Sequence, residues 1–373
     1  MKVIFTCGGT AGHINPAVAL AGLIQQRQPG TEVLFVGAKN GMESRLVPKE
    51  GYAFQGVDIS SFYRSLSPEG IRHNVGTVYN LLRSPAEAKE ILKNFQPDLV
   101  VGTGGYASYP IVHCAARMGI PTAVHESNAV PGLTTRALER CVDRVMVGFE
   151  ECRQYYRHPD KVVVTGTPVR GDFFRMSKSQ AKKSLGLDDG RKLLVSFWGS
   201  LGASVMNGYM QEFFCLEAKE RSFHHIHAAG RSGYAAMKQA VEKSGVDLSS
   251  YRELDLREYI YDMPAVMRAA DLVICRAGAS TISELTALGV PAVIVPSPYV
   301  TNNHQEKNAG ILADAGAAVM LREQECSGEI LYRTAAAILT DPARLDCMSK
   351  AMEKLSVPQA AQRIYETLMT ICK

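Results

Sequence analysis

The sequence predicts an α/β protein built as two doubly wound domains in tandem, and two observations carry that reading. Short aliphatic runs alternate with helical stretches from end to end, and a strand that runs into a small-residue loop and then a helix occurs twice, about half a chain apart. Continuous apolar strands separated by helices are the pattern of parallel sheets covered on both faces. Taken in order, the expected strands are residues 3–5, 33–36, 99–101, 162–164, 193–195, 272–274 and 292–295. The echo pairs the segment from Lys2 to Gly12 with the one from Lys192 to Gly202. Doubly wound sheets bind ligands beyond the carboxyl ends of their strands, so the cleft between the two domains is expected to hold the chemistry. Gly and Pro punctuate Gly166-Thr167-Pro168-Val169-Arg170-Gly171, the best hinge. The expected organisation is therefore 1–166, 167–355, and a helical tail over 356–373 that crosses back to the first domain.

Composition narrows the class. The chain has 373 residues, 46% hydrophobic and 21% charged, which is ordinary globular composition with enough apolar surface for two cores. Nine Cys are scattered with no C-x-x-C, so neither a disulfide framework nor a zinc site is indicated, and a reducing cytosol is expected. The apolar run at the N-terminus is too short for a signal peptide, and no stretch approaches the roughly 20 apolar residues of a membrane span. A net charge of +4 is too slight for a dedicated nucleic-acid binder. Any membrane contact is expected to be peripheral.

Four loops carry chemistry. Gly8-Gly9-Thr10-Ala11-Gly12-His13 leaves a strand for a helix expected to start near Asn15-Pro16, and paired glycines there open backbone N–H groups to a phosphate or a sugar oxygen. His13 at its mouth reads either as a general base or as a helix-start histidine bonded to backbone. Gly102-Thr103-Gly104-Gly105-Tyr106-Ala107 matches the dinucleotide form G-x-G-x-x-[GA] with Glu126 about twenty residues on, which keeps an NAD-dependent oxidoreductase as a rival. His125-Glu126-Ser127-Asn128 follows the next strand, and Glu126 is a second acid/base candidate or a carboxylate paired to an arginine. In the second half, Cys275 to Glu284 again passes from strand to helix; small residues free N–H groups for a phosphate, and Glu284 either accepts from a ribose diol or closes a capping box with Ser280. The amide-rich run from Asn302 to Asn308 suits sugar hydroxyls or a solvated turn. No Asp-x-Asp occurs, so a metal–diphosphate clamp of that kind is not expected, and helix ends and arginines must stabilise any diphosphate that leaves.

In order and spacing these blocks, with Gly166 to Arg170, Gly199 to Ala203 and His304 to Asn308, resemble the MurG family of N-acetylglucosaminyltransferases over nearly the whole chain. The resemblance implies a GT-B fold, two doubly wound Rossmann-like domains facing across a cleft, and inverting, metal-independent transfer without a cofactor. It implies UDP-GlcNAc in the second half: Ile260 offering backbone to uracil, Glu284 on the ribose, Ser200 with Ala279, Ser280 and Thr281 at the diphosphate, Gln305 on the sugar, and Arg170 assisting. In the first half it implies an acceptor diphosphate at Gly9, Thr10, Gly104, Gly105 and Tyr106, catalytic His13, Glu126 and Asn128 at the reacting sugar, and Thr10, Gly12 and Asn128 also reaching the donor UDP-GlcNAc. The implied partners are UDP-GlcNAc, a lipid-linked muramyl-pentapeptide, an anionic membrane surface and proteins of the cell-wall machinery, at the cytoplasmic face of the bacterial membrane. A UDP-GlcNAc epimerase or hydrolase of the same fold is the alternative. Trp198 and Leu201 stand where the family usually has Gly and Gln, Ser127 where it has Gln, and Thr135 and Thr167 where it has Asn, which places a bulky Trp198 beside the donor phosphates. A helical stripe of Ile71, Val75, Val78, Tyr79 and Leu82 reads as a membrane doorway or a core face.

Overall fold

In the computed structural model the described residues are 1–59, 84–187, 189–199, 203–300 and 303–372. They form two compact units, Met1–Val169 with Val357–Lys373 and Arg170–Ser356.

In the first unit a parallel sheet of seven described strands runs in the order β3-β2-β1-β4-β5-β6-β7. Its strands are β1 (Lys2–Thr6), β2 (Glu32–Ala38), β3 (Ala53–Val57), β4 (Leu99–Gly102), β5 (Thr122–Glu126), β6 (Arg144–Val147) and β7 (Val162–Val164). The helices are α1 (Ala11–Arg27), α2 (Glu43–Lys49), α3 (84–95), α4 (Ser108–Arg117) and α5 (Leu133–Leu138). Val3, Ile4 and Phe5 are fully buried because helices cover both faces of β1. Each such side chain contributes about 1.5–3 kcal/mol through removal from water. The sequence places the first helix at Asn15-Pro16, but α1 starts at Ala11 and carries Pro16 inside it. The reason is the loop: Gly9 turns the chain at φ +88° and Thr10 is extended, so the helix begins at once.

The second unit repeats the plan with six described parallel strands in the order β10-β9-β8-β11-β12-β13. These are β8 (Leu193–Phe197), β9 (His224–Ala228), β10 (Leu254–Arg257), β11 (Leu272–Cys275), β12 (Ala292–Ile294) and β13 (Ala318–Met320). Around them lie α6 (Lys178–Ser184), α7 (Ser204–Glu220), α8 (Tyr234–Lys243), α9 (Met263–Ala269), α10 (Ala279–Leu288), α11 (His304–Asp314), α12 (Gly328–Leu339) and α13 (Pro342–Lys354). The chain then returns to the first unit as α14 (Ala360–Met369), whose fully buried Ile364 and Leu368 pack into the cluster of Ile14, Leu20 and Ile24 on α1.

Strand order reverses between β1 and β4 in one sheet and between β8 and β11 in the other. At such a switch point neighbouring loops diverge to opposite faces and leave a crevice at the carboxyl ends of the strands. The loops singled out by sequence follow these four strands and β5, and the amide-rich run follows β12.

Candidate active site

On the first unit the two glycine loops touch backbone to backbone. A Cβ on Gly105 would lie 2.1 Å from the Gly8 carbonyl oxygen, and Gly105 sits at φ +83°, so glycine is demanded twice over. Gly104, at φ +102°, faces the imidazole of His13: a Cβ there would stand 2.8 Å from Cδ2 and 3.1 Å from Nε2. Thr103 donates its hydroxyl to the His13 carbonyl at 2.7 Å, and Ser108 donates to the Gly104 carbonyl at 2.6 Å. The half-buried His13 places Nδ1 2.7 Å from the Gly8 carbonyl oxygen. A carbonyl only accepts, so Nδ1 carries the proton and neutral His13 presents a bare Nε2 towards Gly104. The two sequence readings of His13 are therefore compatible, because the backbone bond is what exposes a basic nitrogen.

Gly9 differs from expectation. Its N–H points inward and donates to the buried carboxylate of Glu43 at 3.2 Å, so that N–H is already engaged; the donors left for an anion are the early N–H groups of α1 and the second loop. Thr10 caps α1 through backbone alone, with Gly12 in its first turn, and Tyr106 lies across Gly9. Burial first, and Glu43 second, push the Tyr106 hydroxyl up. Sequence reasoning passed over Glu43; the signal available was Gly37 and Gly41 around it, whose missing side chains leave its space.

Glu126 is neither an open base nor an arginine partner. One carboxylate oxygen accepts from the N–H and Nδ2 of Asn128, both at 3.0 Å, and the other from the Gly132 N–H at 2.9 Å and the Thr135 hydroxyl at 2.6 Å. With four donors bound, it builds the turn that presents Asn128 and has no face left for a reacting proton or for a dinucleotide ribose. The same bond accounts for Thr135, whose hydroxyl serves the carboxylate. His125 is fully buried, with Nε2 2.9 Å from the Gly166 carbonyl oxygen and Nδ1 3.3 Å from the Ser127 hydroxyl, and burial pushes its pKa down. Nothing in the structure explains Thr167, whose buried hydroxyl has no partner among the described residues.

On the second unit a cavity of about 410 Å³ opens at the β8/β11 switch point, lined among others by Gly199, Gly278, Thr281, Ser297, Tyr299 and Gln305. The N-cap of α10 is Gly278, with Ser280 the second helical residue, so Ser280 and Glu284 form no capping box. Ala279, Ser280 and Thr281 head the helix with N–H groups that have no intrahelical acceptor, a ready seat for a diphosphate. The Ser280 hydroxyl is buried without a partner among the described residues. Gln305 accepts from the Ser297 N–H at 2.9 Å through its amide oxygen, leaving its NH₂ group to donate into the cavity. Asn308, by contrast, is buried and donates to the Ala277 carbonyl at 3.2 Å, so part of the amide run holds α11 in place. Ile260 lies between β10 and α9 with its side chain buried. Ser200 and Leu201 of the third loop, Asn302, and the stripe from Ile71 to Leu82 lie outside the described residues.

Trp198 belongs to both core and cavity. It is only 4% exposed, edge-on to His227 and 6.0 Å from the Arg276 guanidinium, and it lines the cavity with Gly199, Gly278 and Thr281, so the expected bulky residue does stand beside the helix end. Arg276 in turn is tied to Glu323 and to the carbonyls of Val295 and Pro296 at 3.1 and 3.2 Å, which fixes the cavity floor.

Glu284 makes no hydrogen bond or ion pair among the described residues. Burial raises its pKa to about 7, with Arg170 pulling it down and Asp172 pushing it up. Arg170 itself pairs with Asp172 at 3.5 Å. A carboxylate accepts two hydrogen bonds from a diol and a carboxylic acid does not, so binding of a ribose should strengthen as pH rises through about 7. Titration calorimetry with UDP-GlcNAc, whose diphosphate does not titrate there, should show affinity falling about fivefold from pH 7 to 6 as the acid form takes over. Glu284→Ala should weaken binding by about 1–3 kcal/mol and remove that slope. A wild-type slope of zero would sink the assignment. Stability moves the other way: a folded-state pKa above the unfolded one costs stability as pH rises through it, so Glu284→Gln should raise the Tm of the ligand-free protein above pH 7.

Two doubly wound units, one with a phosphate-accepting helix end beside a ribose-accepting carboxylate and one with paired glycine loops around a histidine, define a sugar-nucleotide glycosyltransferase. Models of the glycosyltransferase family 28 N-terminal and C-terminal domains match residues 3–147 and 193–364. A UDP-N-acetylglucosamine--N-acetylmuramyl-(pentapeptide) pyrophosphoryl-undecaprenol N-acetylglucosamine transferase of Acetivibrio thermocellus is 42% identical across 100% of this chain and 99% of its own, and a Bacillus cereus counterpart 40% across the whole of both. The crystal structure of Acinetobacter baumannii MurG superposes with a TM-score of 0.76 at 27% identity over 99% of each chain. The chain belongs to the MurG family, within glycosyltransferase family 28. A Neisseria meningitidis UDP-GlcNAc 2-epimerase, at 16% identity over 99% of this chain and 100% of its own with a TM-score of 0.66, shares the fold alone. Family membership overturns the oxidoreductase reading of Gly102 to Ala107.

Proposed function

We propose that this chain transfers N-acetylglucosamine from UDP-GlcNAc to the C4 hydroxyl of undecaprenyl-diphospho-N-acetylmuramoyl-pentapeptide with inversion, converting lipid I to lipid II. The observation that carries the reading is identity of 40–42% along the whole chain with relatives bearing that activity in their names. The site chemistry supports it. His13 accepts the C4 proton at Nε2 while the hydroxyl attacks the anomeric carbon, and two positioned substrates supply much of the rate. UDP leaves with its developing charge on the α10 N-terminus and Arg170. Glu284 holds the ribose, the Gln305 NH₂ group the sugar hydroxyls and the Ile260 backbone the uracil; the acceptor diphosphate rests on the N–H groups around Thr10, Gly104 and Gly105.

Incubation with UDP-GlcNAc and a short-chain lipid-linked muramyl-pentapeptide should release UDP and a β-linked disaccharide. An epimerised sugar or free GlcNAc with no disaccharide would transfer the assignment to the epimerase or hydrolase class. Docking is proposed at the cytoplasmic membrane face, because the acceptor's lipid tail stays in the bilayer. No described helix is long and apolar enough to cross a membrane, and the chain up to Pro168 carries 17 Lys+Arg against 14 Asp+Glu, the balance beyond it being 24 against 23. Sedimentation with anionic but not zwitterionic vesicles is the expected result.

A further inference from the structure

The Gly8–Gly9 peptide group is bonded at both ends. Its C=O accepts from His13 Nδ1 at 2.7 Å, and its N–H donates to Glu43 Oε2 at 3.2 Å. Glu43 is fully buried; its other oxygen accepts from the Ala38 N–H at 2.8 Å. Gly37 makes the room, since a Cβ there would stand 2.5 Å from Glu43 Cγ. We propose that Glu43 is a positioning residue for His13, acting through this one peptide group: carboxylate to N–H, and carbonyl to Nδ1–H.

The physics is that of a carboxylate orienting a histidine, with an amide inserted between them. A negative charge on the N–H side draws the peptide dipole into line and makes the carbonyl a stronger acceptor, so the Nδ1–H tautomer is favoured and Nε2 is left bare. The Thr10 hydroxyl, 3.4 Å from Nδ1, makes the longer and weaker of the two contacts there. The titratable groups shown to feel Glu43 are Cys7 and Tyr106, both pushed up and so neutral near pH 7, and they add no charge of their own beside the peptide. Ordinary loop anchoring does not require the anchored peptide to be the one that holds the base.

The inference rests on His13 as the base, and its main readout needs no substrate. Nitrogen-15 NMR of the imidazole should find a single Nδ1–H tautomer in the wild-type protein. Glu43→Gln keeps the shape and removes the charge; it should populate both tautomers, lower kcat about tenfold, and leave KM for UDP-GlcNAc within about twofold, since the donor cavity lies on the other unit. An Nε2–H tautomer in the wild type overturns the proposal whether or not the variant folds. So does a folded Gln variant with one tautomer and unchanged kcat. Failure of the transfer assay with the relay intact would instead count against the proposed function alone.

Discussion

Replacement of His13 by alanine is expected to lower turnover by roughly 10²- to 10⁴-fold, the range for removing a general base. The expectation follows from geometry: the Nδ1 bond to Gly8 commits the proton to one nitrogen, and Gly104, having no side chain, does not crowd the other. Donor affinity should barely change, because the diphosphate seat, Glu284 and Gln305 all belong to Arg170–Ser356. Unaltered turnover would move the role to another group. It would not pass to Glu126, whose oxygens are already filled by Asn128, Gly132 and Thr135. A loss of UDP-GlcNAc binding without a loss of kcat would instead mean that the loop serves the donor.

Glu323→Ala is expected to destabilise the second unit by about 3 kcal/mol, because it leaves the Arg276 guanidinium buried against Trp198 without its counter-charge. For a unit of this size that corresponds to a Tm lower by about 6–12 °C. The carbonyls of Val295 and Pro296 remain to solvate the cation, which keeps the loss at the lower end of the range for a broken buried pair. Differential scanning calorimetry checks it. Glu323→Gln, able to keep a hydrogen bond, should lose less. A Tm unchanged in the alanine variant would show that Arg276 swings out to water, and that the pair does not build the cavity floor.

Much of the fold was legible in the chain. Residues 3–5, 99–101, 193–195 and 272–274 are apolar at every position because sheets covered on both faces bury both sides of a strand, and these four form the paired centres of the two sheets, β1 with β4 and β8 with β11. Two of the edge strands escape such a search. β10 alternates leucines with Asp255 and Arg257, and β3 carries Gln55 and Gly56, so neither offers a continuous apolar run. β9 reads His224-His225-Ile226-His227-Ala228 and is nonetheless almost fully buried. Its histidines find partners on other elements: His225 bonds Glu217 on α7 and Ser196 on β8, and the same hydroxyl meets His227 at 2.6 Å. Burial pushes the His225 pKa down to about 3 and raises that of Glu217, so a polar cluster sits in the core with its charges suppressed.

The sequence by itself determined the fold class, the strand-end loops that hold the chemistry and the family, because backbone conformation at a tight turn constrains residue type locally and seven such constraints in order are specific. Only the tertiary structure decided what each polar side chain does once there. Glu126 and Glu43 are alike as letters, yet one braces the Asn128 turn and the other lies behind the histidine peptide, and Trp198 is packed into the core while it lines the donor cavity. Those outcomes depend on partners such as Thr135, Gly9 and Arg276, brought from distant elements by packing, and a charge or an indole takes the environment that packing leaves it.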